Sequence, residues 1–188
     1  MTPHSSTRRP RRPLDPQRLD ELAVAYVGRF ATTRAKLATY LARKLRERGW
    51  EGEGAPAVEV LVERLARLGY IDDAAYALAK ARSLGQRGYG RRRVSMALRQ
   101  AGVGEGDGRA AEEASREEAV GAALRFAQRR RLGPFAAARP DPRERERAFA
   151  AMLRAGHELD LARRIIDLAP EKDPDFTGLV QKLSHFAA

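Results

Sequence analysis

The chain has 188 residues, room for one or two small domains and a real core. Only 6% of it is aromatic and much of its 43% apolar content is alanine, which favours thin helix–helix packing over one large core. A net charge of +11 points to an anionic partner, whether nucleic acid, an acidic protein surface or anionic lipid. The absence of cysteine excludes disulfides, thiolate metal sites and cysteine nucleophiles.

Uninterrupted apolar runs such as Ala148–Leu153 are too short for a membrane span or a secretory signal, so a cytoplasmic protein with no membrane contact is expected. Residues 1–14 carry Arg8, Arg9, Arg11 and Arg12 split by prolines, the composition of a disordered basic tail. Asp15-Pro16 then reads as an N-cap with proline at the first helical position. Leu19, Leu22, Ala23, Tyr26, Val27 and Phe30 form the helical stripe that follows. After Ala31-Thr32-Thr33 a second helix is predicted from about Arg34 to Arg48, buried along Leu37, Leu41 and Leu45 and ended by Gly49. Its outer face is basic, with Arg34, Lys36, Arg43, Lys44, Arg46 and Arg48. EGEGAP (51–56) is a loop, and Val58, Leu61, Val62, Leu65 and Leu68 make a third amphipathic helix that closes a repeat at 15–68.

The next stretch, Leu68 to Val103, reads as turn, helix, glycine-rich turn, helix and turn. Gly69 and Gly102 supply helix ends, and Asp72-Asp73 the side-chain acceptors that a helix N-terminus needs. Val94, Ala97, Leu98 and Ala101 form one apolar stripe. From Tyr76 to Val103 there are seven cations (Lys80, Arg82, Arg87, Arg91, Arg92, Arg93 and Arg99) and no carboxylate.

Gly49, Gly102 and Gly156 each end a second helix, and in each case the residues eight and four before are apolar: Leu41 and Leu45, Val94 and Leu98, Ala148 and Met152. That register supports three tandem units, with repeat two at 69–115 and repeat three at 116–169. Repeat two closes on GEGDGRAAEEAS (104–115), either a short, poorly packed helix or a mobile linker before a helix at about 116–131. Leu124, Phe126 and Ala127 lie in that helix. A long loop (132–140) follows, and then Asp141-Pro142-Arg143-Glu144, the spacing of a capping box. Phe149, Met152 and Leu153 are expected to face inward, and Leu159, Ala162, Ile165, Ile166 and Ala169 make the last helix before a polar tail, 170–188. No alternating β-branched or aromatic run is bounded by turn signals. The fold expected is all-α, three tandem three-helix repeats in an elongated, curved array whose units must stack because each alone buries too little.

Catalytic chemistry finds little support. Asp72 and Asp73 are adjacent, point in different directions and have no third carboxylate or histidine beside them, which suits capping better than acid–base work or metal binding. Gly85, Gly88 and Gly90 resemble a phosphate loop, but no Gly-Lys-Ser/Thr follows, so a turn between helices is the better reading. The alternative is an anion held at the helix start by backbone amides or by Arg91–Arg93. Three arginines in a first turn oppose the helix dipole, which hints at a binding surface. Tyr70 and Tyr76 are expected in the core, while Tyr89, between glycines and arginines, suits packing or base stacking equally. His4, His157 and His185 have no ligand spacing, and Ser95 has no histidine partner in reach by spacing.

Gly69-Tyr70-Ile71-Asp72-Asp73, Tyr76-Ala77, the Gly-x-x-Gly-x-Gly of 85–90, and Leu98 followed by Ala101-Gly102-Val103 together resemble the RecX family, regulators of the RecA recombinase. The match is close over roughly 58–103, repeat-level over 20–57 and 120–168, and covers neither tail. The resemblance implies a non-enzymatic regulator without cofactor or metal. Such a protein binds the RecA–single-stranded DNA filament, blocks its extension or promotes its disassembly, and so damps ATP hydrolysis, recombination and the repressor cleavage of the SOS response during DNA repair. The expected partner and DNA contacts are Arg82, Arg87, Arg91, Arg92, Arg93 and Arg99, with Lys36, Arg43 and Lys44 from repeat one. Gly69, Tyr70, Ile71, Asp72, Asp73, Tyr76, Gly88, Gly90, Leu98 and Gly102 are expected to hold the geometry. A monomer with weak, salt-dependent affinity for DNA is expected; the alternative is a helix-turn-helix-like module that reads duplex DNA directly, for which few Asn or Gln residues are available.

Overall fold

The computed structural model describes residues 12–184, so Arg8, Arg9, Arg11, His4 and His185 lie outside the described residues. Among the described residues it is all-helical, with ten α-helices, one 3-10 turn and no strand. Two compact units are formed, Met1–Asp72 and Asp73–Ala188.

The first unit contains α1 (Pro16–Val27), α2 (Arg34–Arg48) and α3 (Val58–Arg67). Asp15 accepts from the Arg18 amide at 2.8 Å and Thr33 from the Lys36 amide at 3.2 Å, so the first two helices start on side-chain caps. Leu19, Ala23, Leu37, Leu41, Val58, Leu61, Val62, Leu65 and Ile71 bury together. Leu14, placed in the tail by the sequence, is fully buried in this core. Its N–H donates to the Gly49 carbonyl at 3.0 Å and its carbonyl accepts from the Glu51 amide at 2.8 Å, an isolated parallel bridge against Trp50. Tyr70, expected inside, is 58% exposed. The chain reverses at Gly69, the Tyr70 amide bonds back to the Leu65 carbonyl at 3.0 Å, and Ile71 turns into the core in its place.

The second unit begins with α4 (Asp73–Gln86), α5 (Arg91–Gln100) and α6 (Glu105–Glu117). The segment 104–115 is neither a linker nor a poorly packed end: α6 lies along α4 for most of its length. Ala111 is buried with Ala77, Ala81 and Leu84, and small residues on both helices let the two backbones come close. α7 (Ala119–Arg130) follows after a break at Glu118, then a 3-10 turn (Gly133–Phe135), α8 (Pro142–Arg154) and α9 (Leu159–Asp167). The capping box at Asp141 and Glu144 is present in both directions, at 2.8 and 3.0 Å. Past Pro170, where a polar tail was expected, α10 (Phe176–Ser184) packs on α7 and buries Leu179 and Leu183 with Leu124, Phe126, Met152, Ile165 and Ile166.

Repeats two and three meet backbone to backbone. Gly88 has a φ of 72°, and a Cβ there would lie 2.8 Å from the Phe126 nitrogen. A Cβ on Gly90 would lie 2.3 Å from the Gly156 oxygen, and one on Gly156, at φ 92°, 2.5 Å from the Arg93 nitrogen. The Gly90 amide donates to Ala155 at 2.9 Å and the Arg92 amide to Gly156 at 3.1 Å. Beside them His157 is buried, its ring tilted against Phe126 at 5.5 Å, and its Nε2 lies 3.1 Å from the Gly88 carbonyl oxygen. A carbonyl only accepts, so Nε2 carries the proton. Burial pulls the His157 pKa from 6.5 to about 4, against the opposing pull of that carbonyl.

Gly156→Ala therefore adds both a clash and a strained backbone, and should cost roughly 2–4 kcal/mol in urea denaturation. Gly106→Ala, in an open stretch of α6, should gain up to about 1 kcal/mol in the same experiment. Because folding lowers the His157 pKa, the unfolded chain takes up that proton first. The stability from neutral His157 is complete above pH 6.5, declines as pH falls and is lost by about 4, a change of roughly 3 kcal/mol. His157→Gln, which keeps a donor toward Gly88, should flatten the pH dependence of the urea midpoint in that window.

Candidate anion-binding surface

Arg82, Arg87, Arg92, Arg93 and Arg99 are exposed and join no ion pair among the described residues. Arg91 is partly covered and pairs with Glu158 at 3.3 Å. Two of the unpaired guanidinium groups converge on one ring: Arg87 and Arg93 stand 5.7 and 5.8 Å from the centroid of Tyr89. Arg87 is held further by its Nε, which donates to the Ser83 carbonyl at 3.2 Å. Tyr89 is half-buried and packs against both hydrophobic clusters of the second unit. Its ring is thus a post that orients two cations. Arg130, which the sequence reading did not single out, lies 5.9 Å from the Phe126 ring in the same junction. In the sequence it looks like an ordinary cation in a helix's last turn.

The start of α5 explains how three arginines sit against a helix dipole. The Gly90 and Arg92 amides at its start donate to the Ala155 and Gly156 carbonyls just past the end of α8, and Glu158 stands at Arg91. The negative end of one helix meets the positive end of the other, which offsets the cationic first turn. The glycine-rich segment is therefore an interhelical turn seated on protein, and the Gly90 and Arg92 amides are already engaged by carbonyls. Arg82 borders a surface cleft of about 610 Å³ with Gln86, Tyr89, Ser115 and Arg125. Arg125 is tied into its wall by an ion pair to Glu118 and a 3.2 Å bond to the Gly85 carbonyl.

In the first unit, Arg43 and Lys44 reach Glu47 at 3.1 and 2.6 Å and lie 5.6 and 5.8 Å from the Tyr40 ring. The hydrogen bond from Lys44, aided by Arg43, holds the Glu47 carboxyl below its usual range. Lys36 is half-buried in the first turn of α2. Among the motif residues, Asp72 is exposed just ahead of α4, Asp73 is buried as its first residue and Tyr76 is half-buried. Leu98 is buried, and its carbonyl accepts from Val103 at 3.1 Å across the turn at Gly102. Ser95 donates to Glu112 at 2.9 Å. Among the described residues no group of three or more His, Cys, Asp or Glu is placed to hold a metal, and no helix is long and apolar enough to cross a membrane.

The profile described as RecX, second three-helix domain, matches residues 72–111, which spans α4, α5 and the first half of α6. Regulatory protein RecX of Myxococcus xanthus (strain DK1622) is 36% identical over 174 residues, 87% of this chain and 92% of that protein. Regulatory protein RecX of Agrobacterium fabrum (strain C58) is 28% identical over 147 residues, 76% of this chain and 78% of that protein. A crystal structure of regulatory protein RecX superposes with a TM-score of 0.59 at 22% identity, covering 81% of this chain and 71% of that one. The crystal structure of RecX from Lactobacillus salivarius gives 0.56 at 16% identity, with 90% and 96% covered. These two likenesses establish a shared fold. The identity to the Myxococcus protein, sustained across most of both chains, carries the further conclusion that this chain belongs to the RecX family of regulatory proteins.

Proposed function

We propose that this protein binds the RecA–single-stranded DNA filament as a monomer and damps its ATPase, recombination and coprotease activities, by blocking filament extension or promoting disassembly. The observation that carries this reading is the set of five exposed, unpaired arginines, Arg82, Arg87, Arg92, Arg93 and Arg99. Exposed guanidinium groups without carboxylate partners, two of them resting on the Tyr89 ring, are left for an anionic surface to complete. The family implies the recombinase as partner, and its filament on single-stranded DNA carries phosphates. The role is that of a regulator rather than a catalyst. As a direct reader of duplex DNA, α5 would have to present its N-terminal residues to base edges, and the α8–α9 turn sits on that end.

The test is the DNA-dependent ATPase of the cognate recombinase on single-stranded DNA, titrated with this protein. Inhibition is expected well below one copy per recombinase monomer. Inhibition only at saturating coverage of the DNA would mean simple competition and would sink the filament reading. Replacing Arg82, Arg92 and Arg99 with glutamate should weaken inhibition about tenfold or more while helicity is kept; unchanged inhibition would remove these residues from the interface. If the arginines touch phosphates, log affinity should fall against log salt with a slope of about 0.7 per single-strand phosphate contacted. A flat response would assign them to the recombinase surface.

A further inference from the structure

The first unit carries a second feature that the arginine surface does not use. Tyr26, at the end of α1, stacks on Tyr40 of α2 with centroids 4.3 Å apart and planes 24° from parallel. Phe30 leans on the outer side of Tyr26 at 5.3 Å and 51°. Tyr26 and Tyr40 back onto the buried core, whereas Phe30 does not and remains 56% exposed. The sequence stripe placed it with the core residues of α1, but that helix ends at Val27, and Phe30 follows Gly28 on the turn to α2.

Cations lie next to Phe30 in the chain and at the ring of Tyr40. Arg29, next to Phe30, is exposed and joins no ion pair among the described residues. At the far end Arg43 and Lys44 flank Tyr40 and share a single carboxylate, Glu47, which leaves that end net positive. An exposed ring extending a stacked pair, with positive charge at both ends, matches a ligand that is flat and aromatic in one part and anionic in the next. We infer that Phe30, braced by Tyr26 and Tyr40, is a stacking platform for unpaired nucleobases of single-stranded nucleic acid, with Arg29, Arg43 and Lys44 along the phosphates. Duplex DNA fits poorly because its base faces are already stacked inside the helix. An apolar protein segment fits poorly because docking would desolvate the flanking charges.

The full-length chain, without recombinase, is titrated into three labelled probes of equal length: oligothymidylate, an abasic deoxyribose-phosphate strand and a DNA duplex. Oligothymidylate should bind more tightly than the abasic strand by about 5- to 150-fold for each base stacked. Phe30→Ala should bring oligothymidylate down to the abasic level and leave the other two probes unchanged. Phe30→Trp should restore the difference. Equal binding of thymidylate and abasic strands by the unmodified chain, or an unchanged ratio in Phe30→Ala, would overturn the site. If Phe30→Ala keeps that ratio yet loses inhibition of the recombinase, the ring is a protein contact and the inference fails. Because no recombinase is in the binding assay, loss of the stacking site leaves the filament reading standing, and the converse holds too.

Discussion

The seat of the α4–α5 turn on α7 and on the α8–α9 turn is made of main chain against main chain, at distances that exclude any side chain. A β-carbon at Gly90 would sit 2.3 Å from the Gly156 oxygen, so glycine there is a condition of assembly. Close approach lets the last carbonyls of α8 enter the amide end of α5, and it places the Gly88 carbonyl where buried His157 donates to it. Each hydrogen bond contributes on the order of 1 kcal/mol, but leaving a buried partner unmade would cost more than that. The seat is therefore costly to open in part, and the helices it joins lie in one compact unit.

The arginine surface inherits its order from this seat. Tyr89 follows Gly88 directly and reaches both hydrophobic clusters of the unit, so the ring that orients Arg87 and Arg93 is itself held on two sides. Arginine side chains lose much rotational freedom on binding. Cations resting on a fixed ring, as Arg87 and Arg93 do, have given up part of it beforehand, which helps a surface recognise an extended anionic partner.

Helix periodicity was well marked in the sequence where the buried residues are large, as in Leu37, Leu41 and Val62, and the caps at Asp15 and Asp141 were legible from local chemistry alone. α6 was hard to read because its buried face is Gly108 and Ala111, and packing through small residues leaves little hydrophobic amplitude. α10 was passed over for another reason. Phe176, Leu179, Val180 and Leu183 do form a helical stripe, but the prolines and charges just before it look like the end of a domain. Phe30 was placed in the α1 stripe by spacing and Tyr70 was expected in the core, and each lies just past a glycine where the helix had already stopped. The seat itself had no local signal. It depends on Gly88 and Gly90 meeting Phe126 and Gly156, which are far away in the chain and close only in the fold.

The position of α10 bears on how the protein is made. Leu179 and Leu183 complete the cluster that contains Phe126, and the Phe126 backbone is where Gly88 rests. α4 and α5 precede α10 in the chain, so they leave the ribosome before it does. Until α10 is in place, the Phe126 backbone and the α4–α5 turn that rests on it lack the packing of Leu179 and Leu183.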